Sequence, residues 1–96
     1  MRVDYALRAQ ADLLEIAEYT RAHLGATVAS ALEIYIRATV ARIAEMPESG
    51  EVVPERDGVR VVPLVRYPFR IFYAVTEDAV TILHIRHTSR RPWRAE

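Results

Sequence analysis

The residues with the greatest capacity for chemistry are arginines and histidines in the C-terminal third of the chain. Guanidinium groups bind phosphates and carboxylates through planar pairs of hydrogen bonds. A histidine near its ordinary pKa can also move a proton during RNA cleavage while an arginine stabilises the developing charge. These residue types therefore favour either binding of a phosphate backbone or acidic peptide, or acid–base cleavage of RNA. The set comprises Arg60, Arg66, Arg70, Arg86, Arg90, Arg91 and Arg94, together with His84 and His87.

Other catalytic and metal chemistries find little support. The chain has no cysteine, no glycine-rich phosphate loop and no Gly-x-Ser-x-Gly motif. His84 and His87 are three residues apart, which on a strand places them on opposite faces and prevents them from sharing a metal ion. Asp12, Glu15 and Glu18 fall on what we interpret as the solvated outer face of a helix. We therefore expect no metal, no cofactor and no catalytic carboxylate pair.

Composition indicates one small domain with a charge asymmetry between its two parts. The 96 residues contain 13 basic side chains, all arginine, and 13 acidic ones, so the formal net charge is zero. Residues 1–58 hold six Arg against ten Asp and Glu, a net of −4, and residues 59–96 hold seven against three, a net of +4. The asymmetry indicates either a localised partner surface or mutual attraction of the two parts within the fold. Because no secretory signal and no apolar stretch of bilayer length is visible, we expect a cytoplasmic protein with no membrane partner.

Two helices are predicted in the acidic part. Apolar residues recur at three- and four-residue spacing over 7–24 and over 28–46, with Gly25 ending the first helix and Thr27 capping the second. A connection this short folds the helices back as an antiparallel hairpin. The first helix lacks a Ser or Thr at its N-cap position, and Asp4 is the alternative residue that could cap it. The predicted stripes are Leu13, Ile16, Ala17, Thr20 and Leu24 on the first helix, and Val28, Leu32, Tyr35, Ile36, Val40 and Ile43 on the second.

The basic part favours strands. From residue 59 the apolar period changes from 3.6 to 2, which predicts strands over 59–66, 69–76 and 79–87, joined by short turns as an antiparallel meander. Residues 1–5 favour a further short strand with no readable partner, and 47–58 are predicted to form an acidic loop. The predicted fold is α+β, with an N-terminal strand and an antiparallel two-helix hairpin packed on one face of the three-strand meander. Its sheet core is expected to include Ile71, Tyr73, Leu83 and Ile85.

Both faces of the predicted meander carry apolar side chains, although two helices can cover only one of them. The other face is then left with either Phe72, Ile82, Val62 and Leu64 or the residues of opposite parity, lying among arginines. Such a mixed apolar and arginine surface is typical of a binding site. A terminal segment of the chain or a second copy of it would be alternative ways to cover this face.

Several segments resemble the ParE/RelE superfamily of small bacterial toxins, and its ParE branch in particular. The order of a strand, two helices and a meander is similar to that superfamily over nearly the whole chain, 1–96, as a single domain. The ParE-like segments are the start of the first helix (11–19), Pro47 with Gly50, the Gly58-Val59-Arg60 entry into the meander, the strand 67–73 with its Tyr67-Pro68-Phe69 start, and the closing strand and tail 82–92.

The resemblance implies the toxin of a type II toxin–antitoxin module, neutralised by a cognate antitoxin in a hetero-oligomer. It also implies inhibition of DNA gyrase by binding, without catalysis. RelE-like relatives are ribosome-dependent mRNA endonucleases that use basic residues and often a C-terminal tyrosine, whereas this chain has no lysine and its last tyrosine is Tyr73. That endonuclease activity and a non-toxic interaction module are the alternatives.

Three sets of residues follow as site predictions. Target contact is assigned to Arg86, His87, Arg90, Arg91 and Trp93. Antitoxin contact is assigned to Arg60, Arg66, Arg70 and Phe72. The ribonuclease alternative would use Arg60, Arg70, Arg86 and His87.

Overall fold

The computed structural model describes residues 1–89, and its elements have the predicted α+β order. A helical hairpin packs on one face of a five-stranded sheet. Neither helix in this part of the chain has the length and apolar composition needed to cross a membrane. The elements are β1 (Arg2–Tyr5), α1 (Leu7–Leu24), α2 (Ala26–Glu45), β2 (Glu51–Val52), β3 (Val59–Pro63), β4 (Phe69–Val75) and β5 (Ala79–His87).

The strand order is β1-β5-β4-β3-β2, so the predicted meander forms the centre of the sheet. β1 runs parallel to β5, with Val3 opposite Val80, and the long intervening chain permits this parallel pairing. The prediction of an uninterrupted loop over 47–58 is wrong, because Glu51 and Val52 form a short edge strand against β3. β3 ends at Pro63, earlier than predicted, because a turn begins there and the Leu64 N–H donates to the carbonyl of Phe69 at 2.9 Å.

The ends of α1 match the prediction, whereas α2 begins two residues and ends one residue earlier than the predicted 28–46. α1 begins after Ala6, which provides no side-chain cap, as expected. α2 begins at Ala26, so the predicted cap by Thr27 is wrong. Gly25 takes the N-cap position with φ of +93°, and its carbonyl accepts the Ala29 N–H at 3.1 Å. Glycine adopts this backbone conformation without a Cβ clash, which allows a single residue to join the two helices.

The main core lies between the hairpin and one face of the sheet, which we call the helix side. The α2 stripe is confirmed, since its four central apolar residues are buried, and Leu13 and Ile16 of α1 pack partly buried against them. Leu24 was predicted in the α1 stripe but is 63% exposed at the last position of the helix. The buried residues of this cluster are Ala9, Leu32, Ile36, Val40, Ile43, Leu64, Ile71, Tyr73, Val80, Ile82 and Ile85.

A β-bulge corrects the predicted parity of β5. Phe72 pairs with His84, but the next residue, Tyr73, pairs with Ile82, so Leu83 has no cross-strand partner. The extra residue shifts alternation by one position. Ile82 therefore faces the helix side, while Leu83, predicted in the main core, packs in the cluster on the opposite face.

The opposite face, which we call the far face, holds a smaller apolar cluster. Val53, Val59 and Phe72 are buried in it, with Val61 and Leu83 partly buried against them. Of the set named first for this face, Phe72 is confirmed, whereas Ile82, Val62 and Leu64 belong to the main core and their assignment is wrong. The helices do not cover the far face, since no helix residue is part of its cluster in residues 1–89.

Candidate functional site

The sheet separates arginines that the sequence analysis grouped together. Arg70 and Arg86 are direct cross-strand partners on β4 and β5, and alternation from Phe72 places them on the far face. Arg60 is opposite Tyr73 and therefore points to the helix side. Arg66 is exposed in the turn between β3 and β4. The residues predicted to contact an antitoxin thus lie on both faces and in a turn, and Phe72 among them is only 7% exposed.

Arg60 holds the loop that follows α2. Its Nη1 donates to the carbonyl oxygens of Gly50 at 2.8 Å and Glu48 at 3.2 Å. The Tyr73 hydroxyl secures the same loop by donating to the carbonyl of Pro47 at 2.8 Å and accepting the Gly50 N–H at 2.9 Å. A Cβ at position 50 would lie 2.6 Å from that hydroxyl oxygen, so the close approach requires glycine. Arg60 therefore has a structural task on the helix side.

Asp12 lies in a buried polar cluster, so its predicted place on a solvated helix face is wrong. The residue is 5% exposed. Its Oδ1 accepts a hydrogen bond from Nε of Arg8 at 3.2 Å. Its Oδ2 accepts the Ile85 N–H at 2.9 Å and a bond from Nδ1 of His84. Three donors on three different residues satisfy this buried carboxylate.

The departure of β1 from the sheet explains why a carboxylate is buried here. The Ala6 N–H donates to the carbonyl of Ile82 at 2.9 Å, and α1 begins directly afterwards. In residues 1–89 no strand flanks this edge of β5 beyond that point, and Asp12 accepts the Ile85 N–H in place of a strand carbonyl. The sequence did contain a signal, because Asp12 lies four residues before Ile16 and therefore on the buried side of α1. Its charge led to the wrong assignment.

His84 connects this carboxylate to Arg86, one of the two far-face arginines. The residue is 2% exposed, and its ring centroid lies 6.5 Å from that of Phe72. Burial lowers the pKa of His84 from its ordinary 6.5; the hydrogen bond to Asp12 opposes this shift, and the charges of Arg8 and Arg86 add to it. We assign the neutral tautomer in which Nδ1–H donates to Asp12. Nε2 then accepts a hydrogen bond from Nη1 of Arg86, 3.4 Å away.

His87 is exposed and lies apart from His84. It packs edge-on against Phe69 with ring centroids 5.4 Å apart, and its Nδ1 accepts from the Ser89 N–H at 3.1 Å. As the cross-strand partner of Phe69, it points away from the face that carries Arg86. No group of three or more His, Asp or Glu side chains placed to hold a metal occurs in residues 1–89.

The predicted ribonuclease set is consequently split by the sheet. Arg70 and Arg86 lie on the far face, whereas Arg60 and His87 point to the helix side. Of the residues predicted to contact the target, Arg90, Arg91 and Trp93 lie outside the described residues.

A groove that the sequence analysis missed lies between β1 and the helical hairpin. Its volume is about 530 Å³, within the range of sites that hold an apolar group. Leu13 and Ile16 were assigned to the core, but both are only partly buried because they line this opening. Glu33 and Arg37 stand at its rim as an ion pair at 3.5 Å. Its apolar lining includes Val3, Tyr5, Leu13, Ile16, Leu32 and Ile36.

Comparisons with known proteins agree with this architecture. The family model described as "ParE toxin of type II toxin-antitoxin system, parDE" matches residues 3–92. A structure of the chromosomal ParDE toxin–antitoxin system from P. aeruginosa is similar, with 27% identity, a TM-score of 0.81, and coverage of 93% of this chain and 97% of that one.

More distant structures share the fold. The isolated E. coli RelE toxin superimposes with a TM-score of 0.62 at 18% identity, covering 94% of this chain and 86% of that one. The intact E. coli RelBE toxin–antitoxin complex gives the same TM-score of 0.62 and identity of 18%, with coverage of 94% and 98%. No curated protein sequence matches the chain.

Proposed function

The chain belongs to the ParE toxin family of type II toxin–antitoxin systems, and on that premise we propose that it inhibits DNA gyrase by binding it. A cognate antitoxin neutralises the toxin by covering its surface. The observation that carries a binding function is the division of the candidate catalytic groups by the sheet. Arg60 and His87 point to one face and Arg70 and Arg86 to the other, so they cannot act together on one phosphodiester.

The remaining histidine on the far-face side supports the same proposal. His84 is 2% exposed and donates to Asp12, so it has no access to a substrate proton. A general acid or base must lie within hydrogen-bond reach of the group that it protonates or deprotonates. Recognition through exposed guanidinium groups needs no such proton transfer. The described part of the chain therefore supports binding better than bond cleavage.

The gyrase proposal is tested with purified toxin, purified gyrase and relaxed plasmid. We expect the toxin to reduce supercoiling, and we expect truncation after Thr88 to abolish this effect while leaving antitoxin binding intact. Translating ribosomes provide the parallel arm. Cutting of ribosome-bound mRNA that is lost in His87→Ala, together with unimpaired supercoiling, would contradict the proposal in favour of an endonuclease. Absence of both effects, with tight antitoxin binding, would favour an interaction module instead.

We assign part of the antitoxin contact to the groove beside β1. An amphipathic helix or extended segment recognises such a surface by inserting apolar side chains into it. The apolar lining and polar rim of the groove fit that mode. The exposed Arg66 suits contacts with acidic side chains of the same partner, since it forms no ion pair with a carboxylate within residues 1–89.

Two neighbouring leucines provide a matched test of the groove. Leu13 lines it, whereas Leu14 is 61% exposed on α1 outside it. We expect Leu13→Ala to weaken antitoxin binding by about tenfold or more, as truncation of an anchor residue does, and Leu14→Ala to leave it unchanged. Titration calorimetry with the purified antitoxin measures both. Equal effects of the two substitutions would place the contact elsewhere.

A further inference from the structure

We propose that Arg70 and Arg86 form a phosphodiester-binding site on the far face, and that the Asp12–His84 pair positions Arg86 within it. This goes beyond the proposed function, because it names the chemical group that the basic face recognises. It is also independent of the gyrase assignment, since a nucleic-acid backbone is bound in the same way whichever enzyme or ribosome presents it.

The first observation is the placement of two like charges side by side. Arg70 and Arg86 are directly opposite each other across β4 and β5, so their side chains leave the sheet on the same face as near neighbours. Like charges in this arrangement destabilise a sheet. An anion bound between the two guanidinium groups converts this repulsion into attraction, which gives a ligand a reason to be bound there.

The second observation is that the strands that carry the pair, and the neighbouring β3, hold no acidic residue. β3, β4 and β5 contain no Asp or Glu at any position. The acidic residues of the intervening turn, Glu77 and Asp78, lie at the other end of β4 and β5 from Arg70 and Arg86. Arg70 is exposed and forms no ion pair with a carboxylate of residues 1–89. Strands β3 to β5 therefore supply no carboxylate that would compete with an external anion for Arg70.

The third observation is that one of the two guanidinium groups is oriented from within the fold. His84 and Arg86 are two residues apart on β5 and point to the same face. Nε2 of His84 lies 3.4 Å from Nη1 of Arg86, and Nδ1 of the same ring is bonded to Asp12. Because Asp12 is also held by Arg8 and the Ile85 backbone, the imidazole has a fixed orientation. The chain of contacts constrains where the Arg86 fork points.

The geometry favours a phosphodiester over a carboxylate. The two oxygens of a carboxylate lie in one plane and can both be bonded by a single guanidinium group, so a carboxylate does not need a second arginine. Phosphate oxygens are arranged tetrahedrally, so guanidinium groups approaching from two adjacent strands can bond different oxygens of one group. Contacts of this kind to a nucleic-acid backbone carry affinity without sequence preference.

The test measures binding of the purified chain to a short labelled DNA duplex and to a single-stranded RNA of equal length, by fluorescence anisotropy over a range of salt concentrations. We expect Arg70→Gln and Arg86→Gln each to weaken binding and to reduce the slope of log K against log salt by about 1, as loss of one phosphate contact does. Arg86→Lys is expected to restore the slope but not the full affinity, because an ammonium group keeps the charge and loses the fork. Arg21→Gln, an exposed arginine of α1, is the matched control and should change nothing.

The positioning role of His84 is tested separately. Asn in place of His84 keeps an N–H donor close to Asp12 but lacks the distal acceptor for Arg86, so His84→Asn should weaken nucleic-acid binding while the chain remains folded. If His84 acts only through Arg86, the double variant H84N/R86Q binds no more weakly than R86Q alone. Additive losses would overturn the positioning role, since they would mean that His84 affects binding by another route.

The comparison of ligands decides the chemistry of the site. Binding of either nucleic acid that depends on Arg70 and Arg86 supports the proposal, and the stronger of the two identifies DNA or RNA as the source of the phosphodiester. Salt slopes that are unchanged in both Gln variants would overturn it. A glutamate-rich peptide that binds through Arg70 and Arg86, with nucleic-acid binding independent of them, would overturn it as well and identify an acidic protein segment as the ligand.

Discussion

On the helix side of the sheet, residues from both helices and four strands pack into one large apolar cluster, whereas the far face combines a small apolar cluster with paired arginines. The helix side is held together chiefly by apolar burial, which is non-directional and tolerates small errors of position. The far-face region depends on directed contacts, from Asp12 through His84 to Arg86. The contrast indicates that apolar burial on the helix side contributes most of the stability, whereas polar, directed contacts are more important on the far face.

The largest expected effect compares truncation of one leucine from each cluster. Leu32 is 3% exposed in the main core, and Leu83 is only partly buried at the far-face bulge. We expect Leu32→Ala to lower the free energy of unfolding by about 3 kcal/mol, and Leu83→Ala by about 1 kcal/mol, because less apolar surface and a smaller cavity are involved. Denaturant titration followed by circular dichroism measures both. Equal losses of unfolding free energy in the two variants would contradict the conclusion that the helix side contributes more to stability than the far face.

The same contrast explains what could be predicted from the sequence. The α2 stripe was correct because residues such as Ile36 and Val40 repeat at helical spacing and are buried in the main core. Leu83 was placed on the wrong face because a bulge moves a side chain without leaving a mark in the apolar pattern. Both results depend on periodicity, which reports a regular element and not an interruption in it.

The candidate site was less predictable, because its contacts are long-range and polar. Asp12 and His84 are 72 positions apart in the chain, and no local pattern links them. The family resemblance indicated arginines of functional interest, but the division of Arg60 from Arg70 follows from strand register. Register is set by turns and bulges, which a single sequence specifies weakly.

A substitution at Asp12 tests how far the polar cluster also contributes to stability. Asp12→Ala leaves the Ile85 N–H and the His84 Nδ1–H buried without their acceptor. We expect a loss of about 2 kcal/mol in the free energy of unfolding, less than for Leu32→Ala. Asp12→Asn, which keeps one acceptor oxygen, should lose less than the alanine variant. If Asp12→Ala were neutral by thermal or denaturant unfolding, the directed contacts would contribute only to orientation.

The smallest expected effect is a pH dependence that belongs to His84. Within residues 1–89 the charged groups that act on its ring include Asp12 and Arg8 of α1 and Arg86 of β5. Burial, together with the two arginines, lowers the pKa of His84 from its ordinary 6.5. The unfolded chain then binds a proton more readily than the folded one, so this contribution to stability is complete above about pH 6.5 and declines as the pH falls toward the folded-state pKa. One proton limits the slope to about 1.4 kcal/mol per pH unit. Unfolding titrations of the parent chain and of His84→Asn between about pH 7 and 5 isolate the effect, since His23 and His87 are common to both. If the stability of the parent chain followed the same pH curve as that of the variant, His84 would have the same pKa in the folded and unfolded states. That result would contradict the assignment of a neutral His84 ring that orients Arg86.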